Sequence, residues 1–202
     1  MNNDHKENAF NSYLSRKVRE KALRHREKNQ SPVLDAGCGN GLLLAELCEQ
    51  SPARLFGLDV SRGLLQSARE KTGSGHASFV EADALAMPFK SAQFGAVLCL
   101  NTTMNFKSAH QVQALIAEMS RICRLEGRII LDIRNGSNVL LKLKYAIFSR
   151  LARFPIQGFT QSQLRSILKR LNCEIIERIP VRIPWLPLAW DYVFVIRAKQ
   201  QP

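Results

Sequence analysis

The chain has 202 residues, 46% of them hydrophobic, with a formal charge of +12, which is enough apolar material for one sizeable core and implies a single domain with small appendages. No apolar run reaches the roughly 18 residues that cross a bilayer, and the polar stretch from Met1 to Asn8 lacks the apolar segment of a secretory signal. Five scattered cysteines without a Cys-x-x-Cys pair exclude a zinc ribbon and a disulfide framework; they fit small core residues of a reducing compartment, so a cytoplasmic protein without a metal is expected.

Residues 7–28 read as a basic helix, so that 1–30 form a cap on a domain spanning 31–202. Ser31 to Asp35 is a short apolar strand, followed by a helix from Gly41 to Gln50 that Ser51-Pro52 closes. Arg54 to Val60 is a second strand, and Ser61 is placed to cap a helix running to Lys71. Ala77 to Asp83 and Ala96 to Asn101 are the third and fourth strands. Ser108 and Gln111 have capping-box spacing and open a helix to Arg124, after which Gly127 to Arg134 is the fifth strand. This alternation, with strands that are continuously apolar, predicts a parallel sheet covered on both faces. The tail differs. Residues 138–153 have the spacing of an extra amphipathic helix, a lid or insertion over about 137–158. Thr160 and Gln163 make a second capping box on a helix ending near Asn172. Glu174 to Ile179 and Tyr192 to Lys199 are strands with no helix between them, so they should pair antiparallel at an edge.

The first strand ends in an acid and runs into Asp35-Ala-Gly-Cys-Gly-Asn-Gly41, a glycine turn that opens a helix. Glycines there let backbone approach a ligand closely, and the helix N-terminus adds unpaired N–H groups. A P-loop needs Gly-Lys-Ser/Thr at the end of the turn, and Gly41 is followed by Leu42-Leu43. Leu42 also breaks the dinucleotide fingerprint, which disfavours an NAD-type dehydrogenase. Asp35 is unhelpful beside a pyrophosphate and well placed beside a ligand bearing an ammonium and a sulfonium. Asp59 ends the second strand where a carboxylate can accept from both ribose hydroxyls, and Asp83 follows the third. Three acids at the C-terminal ends of successive strands line one crevice of an open α/β sheet.

Asp35-Ala-Gly-Cys-Gly-Asn-Gly41, Gly57-Leu-Asp59-Val-Ser61 and Glu81-Ala-Asp83-Ala-Leu-Ala-Met-Pro-Phe89 together resemble the class I S-adenosylmethionine-dependent methyltransferases, over roughly residues 31–135. Met87-Pro88-Phe89 and Gln93-Phe94 resemble the type 11, quinone and small-molecule branch in particular. The resemblance implies a Rossmann-like fold: a mostly parallel seven-stranded sheet with an antiparallel edge hairpin and helices on both faces. It implies S-adenosylmethionine as cofactor and S-adenosylhomocysteine as product. Gly37 and Gly39 would lie against the methionine part with Asp35 shaping the turn, Asp59 would hold the ribose, and Asp83 with the Ala84 amide would bind adenine. Asn101 would lie near the methionyl end or the acceptor. Gly95 departs from the pattern, since the family usually has an acid there, and the consequence expected is local packing rather than chemistry.

The charge is segregated: eight Lys/Arg against four Asp/Glu in residues 1–30, nine against ten in 31–132, and ten against two in 133–182. Such a pattern suggests a field aimed at something acidic. Tyr13 and Arg16 are candidates to fold over the cofactor or acceptor, and Lys142 and Tyr145 in the insertion are candidate acceptor contacts. Lys142, Lys144, Arg150 and Arg153 flank an apolar stripe that reads either as a lid with solvated charges or as a surface for anionic lipid. His110 reads as a first-turn surface residue, and Trp185 and Trp190 as edge packing or pocket wall. No residue stands out as a general base. The expected function is methyl transfer to a small-molecule acceptor that is anionic or membrane-associated, with peripheral contact to an anionic membrane. Two alternatives stand beside it. An RNA-directed methyltransferase would use the basic flanks, but residues 101–106, Asn-Thr-Thr-Met-Asn-Phe, lack the Asn/Asp-Pro-Pro-aromatic motif of amino-directed nucleic-acid enzymes. A non-catalytic cofactor-binding scaffold is the other.

Overall fold

The computed structural model describes residues 9–25, 30–73, 75, 77–141, 143, 158–182 and 189–199. In chain order its elements are α1 (Ala9–His25), β1 (Val33–Ala36), α2 (Leu42–Cys48), β2 (Leu55–Asp59), α3 (Arg62–Thr72), β3 (Ala77–Glu81), β4 (Phe94–Cys99), α4 (Ala109–Ile122), β5 (Cys123–Arg134), α5 (Gln161–Arg170), β6 (Cys173–Arg182) and β7 (Ala189–Ala198). The seven strands make one sheet in the order β3-β2-β1-β4-β5-β7-β6. The first five are mutually parallel. β7 pairs antiparallel with both β5 and β6, which completes the expected edge hairpin. Strand order reverses between β1 and β4, where open α/β sheets leave a crevice at their C-terminal ends.

All six residues of β4 are buried, as a central strand covered on both faces requires. On one face Val112, Leu115, Ile116 and Met119 of α4 and Leu164, Ile167 and Leu168 of α5 pack against the sheet. On the other, Leu14, Val18 and Ala22 of α1 join Leu43, Leu44 and Leu47 of α2 and Leu65 of α3. The N-terminal helix therefore shares the domain's core rather than sitting apart from it. The caps lie where their chemistry puts them. Ser61 accepts from the Leu64 N–H, Ser108 from that of Gln111, and Thr160 and Gln163 form a reciprocal box. The Ser108 box is not reciprocal, because Gln111 accepts from the Lys107 N–H instead.

β5 starts four residues earlier than the apolar pattern suggests: Cys123 pairs with Phe94, the exposed Arg124, Leu125 and Glu126 lie in a register shift, and pairing resumes between Arg128 and Ala96. Only the start of the predicted helix at 138–153 is described: residues 139–141 and 143 are helical, and Leu141 is buried with Leu14 and Val18. The rest of that segment, with Lys142, Lys144, Tyr145, Arg150 and Arg153, lies outside the described residues, as does Trp185.

Gly95 has a steric explanation. A Cβ on it would stand 2.3 Å from the Ser31 Cβ, so an acid at this position collides with the segment leading into β1. Gly95→Asp is expected to destabilise the fold by about 1–3 kcal/mol, as overpacking does. Pairing it with Ser31→Gly should restore most of the loss in chemical denaturation; an equal loss with and without Ser31→Gly would contradict the packing account.

Candidate cofactor and active site

The turn after β1 runs through three left-handed glycines, with φ of +76° at Gly37, +53° at Gly39 and +75° at Gly41. Gly37 also faces a neighbour: a Cβ there would lie 2.4 Å from Thr102 Oγ1, so only glycine lets this turn meet the one after β4. The N–H groups of Gly37 and Cys38 donate to the Leu58 carbonyl at 2.7 and 2.9 Å. Asp59 closes the arrangement from the end of β2. Its Oδ2 accepts from the Gly39 N–H and its Oδ1 from the Ser61 N–H, both at 2.9 Å. Each of its oxygens keeps a lone pair for a ligand hydroxyl.

Two cavities flank this turn and share Gly37, Gly39 and Asn101. One, of about 180 Å³, is walled by Ser15, Arg19, Asp35, Cys38 and Leu100. The other, of about 520 Å³, is walled by Asp59, Val60, Leu64, Asp83, Ala84 and Phe106. The first offers a carboxylate and a guanidinium, the complement of an amino-acid zwitterion. The second offers two acids and the exposed aliphatic side chains of Val60 and Leu64, the complement of a ribose and a flat base. These residues fit S-adenosylmethionine. Arg19 and Asp35 would hold its amino-acid end, Asp59 its ribose and Asp83 with Ala84 its adenine; when bound it supplies an electrophilic methyl on a sulfonium.

The adenine side is fixed from below. Asp83 Oδ1 accepts from the Leu85 N–H at 2.8 Å. Glu118 of α4 accepts from the Met87 N–H, while Arg121 donates to the carbonyls of Met87 and Phe89. The Met-Pro-Phe segment is thereby tied to α4, and the Phe89 ring stacks edge-on against Phe56 and Phe94.

Of the seven predicted cofactor residues, Asp35, Gly37, Gly39, Asp59, Asp83, Ala84 and Asn101, all line these two cavities. The two candidates from α1, Tyr13 and Arg16, are not among the residues that line these two cavities. Arg16 is exposed and paired with Glu20, and its guanidinium and the Lys17 ammonium lie over the Tyr13 ring. Ser15 and Arg19 line the smaller one, with Arg19 braced by Glu46 at 3.1 Å. The signal was the buried stripe Leu14, Val18, Ala22, which puts residues 15 and 19 beside the core and 16 on the far side of the helix. Lys142 and Tyr145 lie outside the described residues. His110 is exposed and lines a separate groove between α4 and α5. Trp190 is buried in the core cluster beside α1.

The basic excess of 133–182 is likewise less focused than its tally suggests. Arg134 is buried and paired with Asp191. Arg165 and Lys169 line a recess with Lys199, at the end of the sheet opposite the cavities. Arg170 binds Gln113, and Arg178 binds Gln161. Arg182, exposed at the end of β6, lies at the end of the sheet where the cavities are.

Residues 33–127 match the family described as methyltransferase domain. A protein of Encephalitozoon cuniculi named as a methyltransferase is 33% identical over 142 residues, covering 70% of this chain and 61% of that protein. The demethylmenaquinone methyltransferase of Deinococcus radiodurans is 39% identical over 102 residues, covering 49% of this chain and 41% of that one. Magnesium protoporphyrin IX methyltransferase of Synechocystis PCC 6803, crystallised with bound S-adenosylhomocysteine, superposes with a TM-score of 0.73 at 18% identity over 93% of this chain and 83% of that chain. Residues 33–127 thus resemble a methyltransferase domain, and the chain has the fold of the Synechocystis enzyme. The chain spans less than two thirds of the length of these two sequence relatives.

Burial, and then the neighbouring Asp59 charge, push Asp35 up to about 7, with Arg19 acting in the opposite direction. Burial raises the Cys38 thiol, and Asp35 and Asp59 raise it further, so it stays protonated. Because folding raises the Asp35 pKa, its ionisation opposes folding. The cost is absent in acid, develops as pH climbs from the ordinary carboxylate range, and is complete above about 7. A ligand ammonium beside it has the reverse preference and binds the ionised form. The dissociation constant of S-adenosylhomocysteine should therefore rise by up to about tenfold per pH unit below 7. Asp35→Asn should flatten that dependence, weaken binding at pH 8 and raise the melting temperature of the free protein there; a wild-type affinity independent of pH between 5.5 and 8 would contradict the assignment. Arg19→Met should weaken binding by on the order of tenfold while Arg16→Met leaves it unchanged, as measured by calorimetry.

Proposed function

We propose that this chain transfers the methyl group of S-adenosylmethionine to a small-molecule acceptor that is anionic or is presented at an anionic membrane surface. The observation that supports transfer is the meeting of the two cavities at Asn101, between the subsite for the amino-acid end and the subsite for the nucleoside. A sulfonium methyl belongs at that junction, and the acceptor must reach it in line at about 3 Å with water excluded. Beside Asn101 the described wall of the larger cavity carries Thr102, Asn105, Phe106 and Gln111, a hydroxyl, two carboxamides and a ring. None of these is a base at neutral pH. An acceptor that arrives ionised needs none.

The membrane part rests on the segment after β5. Val139, Leu140 and Leu143 are exposed aliphatics at the start of a helical segment whose buried Leu141 belongs to the same apolar cluster as Leu14 and Val18 of α1. Lys142, Lys144, Arg150 and Arg153 follow in sequence. Apolar side chains beside a run of cations suit an interface with acidic headgroups. No helix among the described residues is long and apolar enough to cross a membrane. Relatives named demethylmenaquinone methyltransferases in Deinococcus radiodurans, Roseiflexus castenholzii and Thermus thermophilus agree with an apolar, lipid-borne acceptor.

Two measurements test the reading. S-adenosylmethionine and S-adenosylhomocysteine should each raise the melting temperature and NAD should not; no shift with the first two sinks it. Reversing the charges at Lys142, Lys144, Arg150 and Arg153 should abolish sedimentation with phosphatidylglycerol vesicles and leave S-adenosylhomocysteine binding intact. Unchanged sedimentation would remove the membrane part alone.

A further inference from the structure

The two ends of the sheet are lined differently. Acids stand in the two cavities after β1, β2 and β3. At the other end, where α5 stops and β6 begins, lies a recess of about 400 Å³ whose described walls hold three cations and no acid. The cations are Arg165 and Lys169 of α5 and Lys199 just beyond β7, and all three are exposed. Between them the recess is floored by apolar side chains, the buried Leu168 and Cys173 and the half-buried Ile175.

Backbone bonds hold this arrangement in place. α5 ends in a left-handed turn at Asn172, with a φ of +51°. The Asn172 N–H donates back to the Lys169 carbonyl, and the Asn172 carbonyl accepts from the Lys199 N–H at 2.9 Å. The helix end, the turn and the end of β7 are thereby tied together around one opening. A site whose walls are already fixed loses little conformational freedom when it binds.

The charge in the recess is not balanced. Lys199 and Arg197 share Glu174, and Arg197 also approaches Glu126. Arg165 and Lys169 have no carboxylate partner among the described residues. They stand four residues apart on one face of α5, where like charges repel. Lys169, in the last turn, is favoured by the helix dipole, but Arg165 sits in the middle of this ten-residue helix and gains nothing from it. A concave site with an apolar floor focuses the field of its cations, and an anion seated there relieves the repulsion. A guanidinium grips two oxygens of one phosphate and leaves the third to an ammonium. About 400 Å³ also falls within the roughly 300–1,000 Å³ of small-molecule sites, more than a phosphate alone fills. Lys199 is eight residues along the chain from Asp191, which pairs with the Arg134 that bonds Asn101 at the cavities. Eight residues of strand span roughly 27 Å, so a molecule small enough for the recess does not reach the cavities.

We propose that this recess is a second ligand site, for a small phosphate monoester with an apolar or aromatic body, its phosphate between Arg165 and Lys169 and its body on Leu168 and Ile175. The site stands whether or not the cavities at the other end carry out methyl transfer.

The probe is 1-naphthyl phosphate, titrated by calorimetry on protein saturated with S-adenosylhomocysteine so that the cavities are filled. The wild type should bind it with a dissociation constant below about 1 mM, and more weakly as salt is raised. Inorganic phosphate, which lacks the body, and 1-naphthol, which lacks the charge, should each bind at least about tenfold more weakly. Arg165→Gln/Lys169→Gln removes two exposed cations and should weaken binding of the probe by at least about tenfold. Arg54→Gln/Lys71→Gln takes the same charge from exposed positions at the start of β2 and in α3, and should leave binding as it is. A wild type that does not bind the probe, or that binds inorganic phosphate as tightly, overturns the proposal. So does a double variant at 165 and 169 that binds like the wild type, or a loss of equal size in both double variants; the recess is then only a solvated basic surface.

Discussion

The carboxylate of Asp59 joins two pieces of backbone that the β1–β2 pairing and the Leu58 carbonyl have already brought side by side. One oxygen takes the N–H of Gly39 in the turn after β1, and the other takes the N–H of Ser61 at the start of α3. The amides of Gly37 and Gly41 have backbone partners, whereas that of Gly39 relies on Asp59, and an unpaired amide in a half-buried crevice costs stability. The clamp removes that cost and ties the turn after β1 to the start of α3. The smaller cavity lies on the Asp35 side of the clamped turn, and the larger lies beneath Asp59 and Asp83. The approach of Gly37 to Thr102 then carries the same constraint across the strand-order reversal, to the turn after β4.

Charge is arranged around that frame in two layers. Within the cavities, Asp35 is buried near Asp59, with Arg19 reaching in from α1, so the free site holds a carboxyl poised near neutrality and ready for a cationic partner. Beneath them, the Asp132–Arg134–Asp191 cluster is buried and bonds Asn101, which borders both cavities. Buried charge of this kind is weak evidence for stability. Its value here is orientation, because a donor-only guanidinium leaves a carboxamide one way to face. The antiparallel β7, which in the sheet is an edge addition, supplies the anion that holds that guanidinium in place.

The parts legible from the sequence were those governed by local chemistry. Continuous apolar runs marked β4, capping residues marked α3, α4 and α5, and the acids at strand ends located Asp35, Asp59 and Asp83 in one crevice. The start of β5 was hidden: Cys123 pairs with Phe94, but Arg124, Leu125 and Glu126 after it are exposed and carry no periodic signal. Arg19 was missed in favour of Arg16 because both are basic and neighbours on one helix, and only the direction of the Leu14–Val18–Ala22 stripe separates them. The Arg134–Asp191 pair was out of reach for a different reason. Its members are 57 residues apart and meet through the β5–β7 register, and Arg134 counted as one more cation in a basic flank until burial set it apart.

The most direct measurement is a crystal structure of the chain with S-adenosylhomocysteine bound. The expected density places the amino-acid end between Asp35 and Arg19, the ribose on Asp59, the adenine between Val60 and Leu64 with its amino group on Asp83, and the sulfur at the junction beside Asn101. A ligand seated elsewhere, or one whose amino-acid end avoids Asp35 and Arg19, would contradict the site as built from these residues.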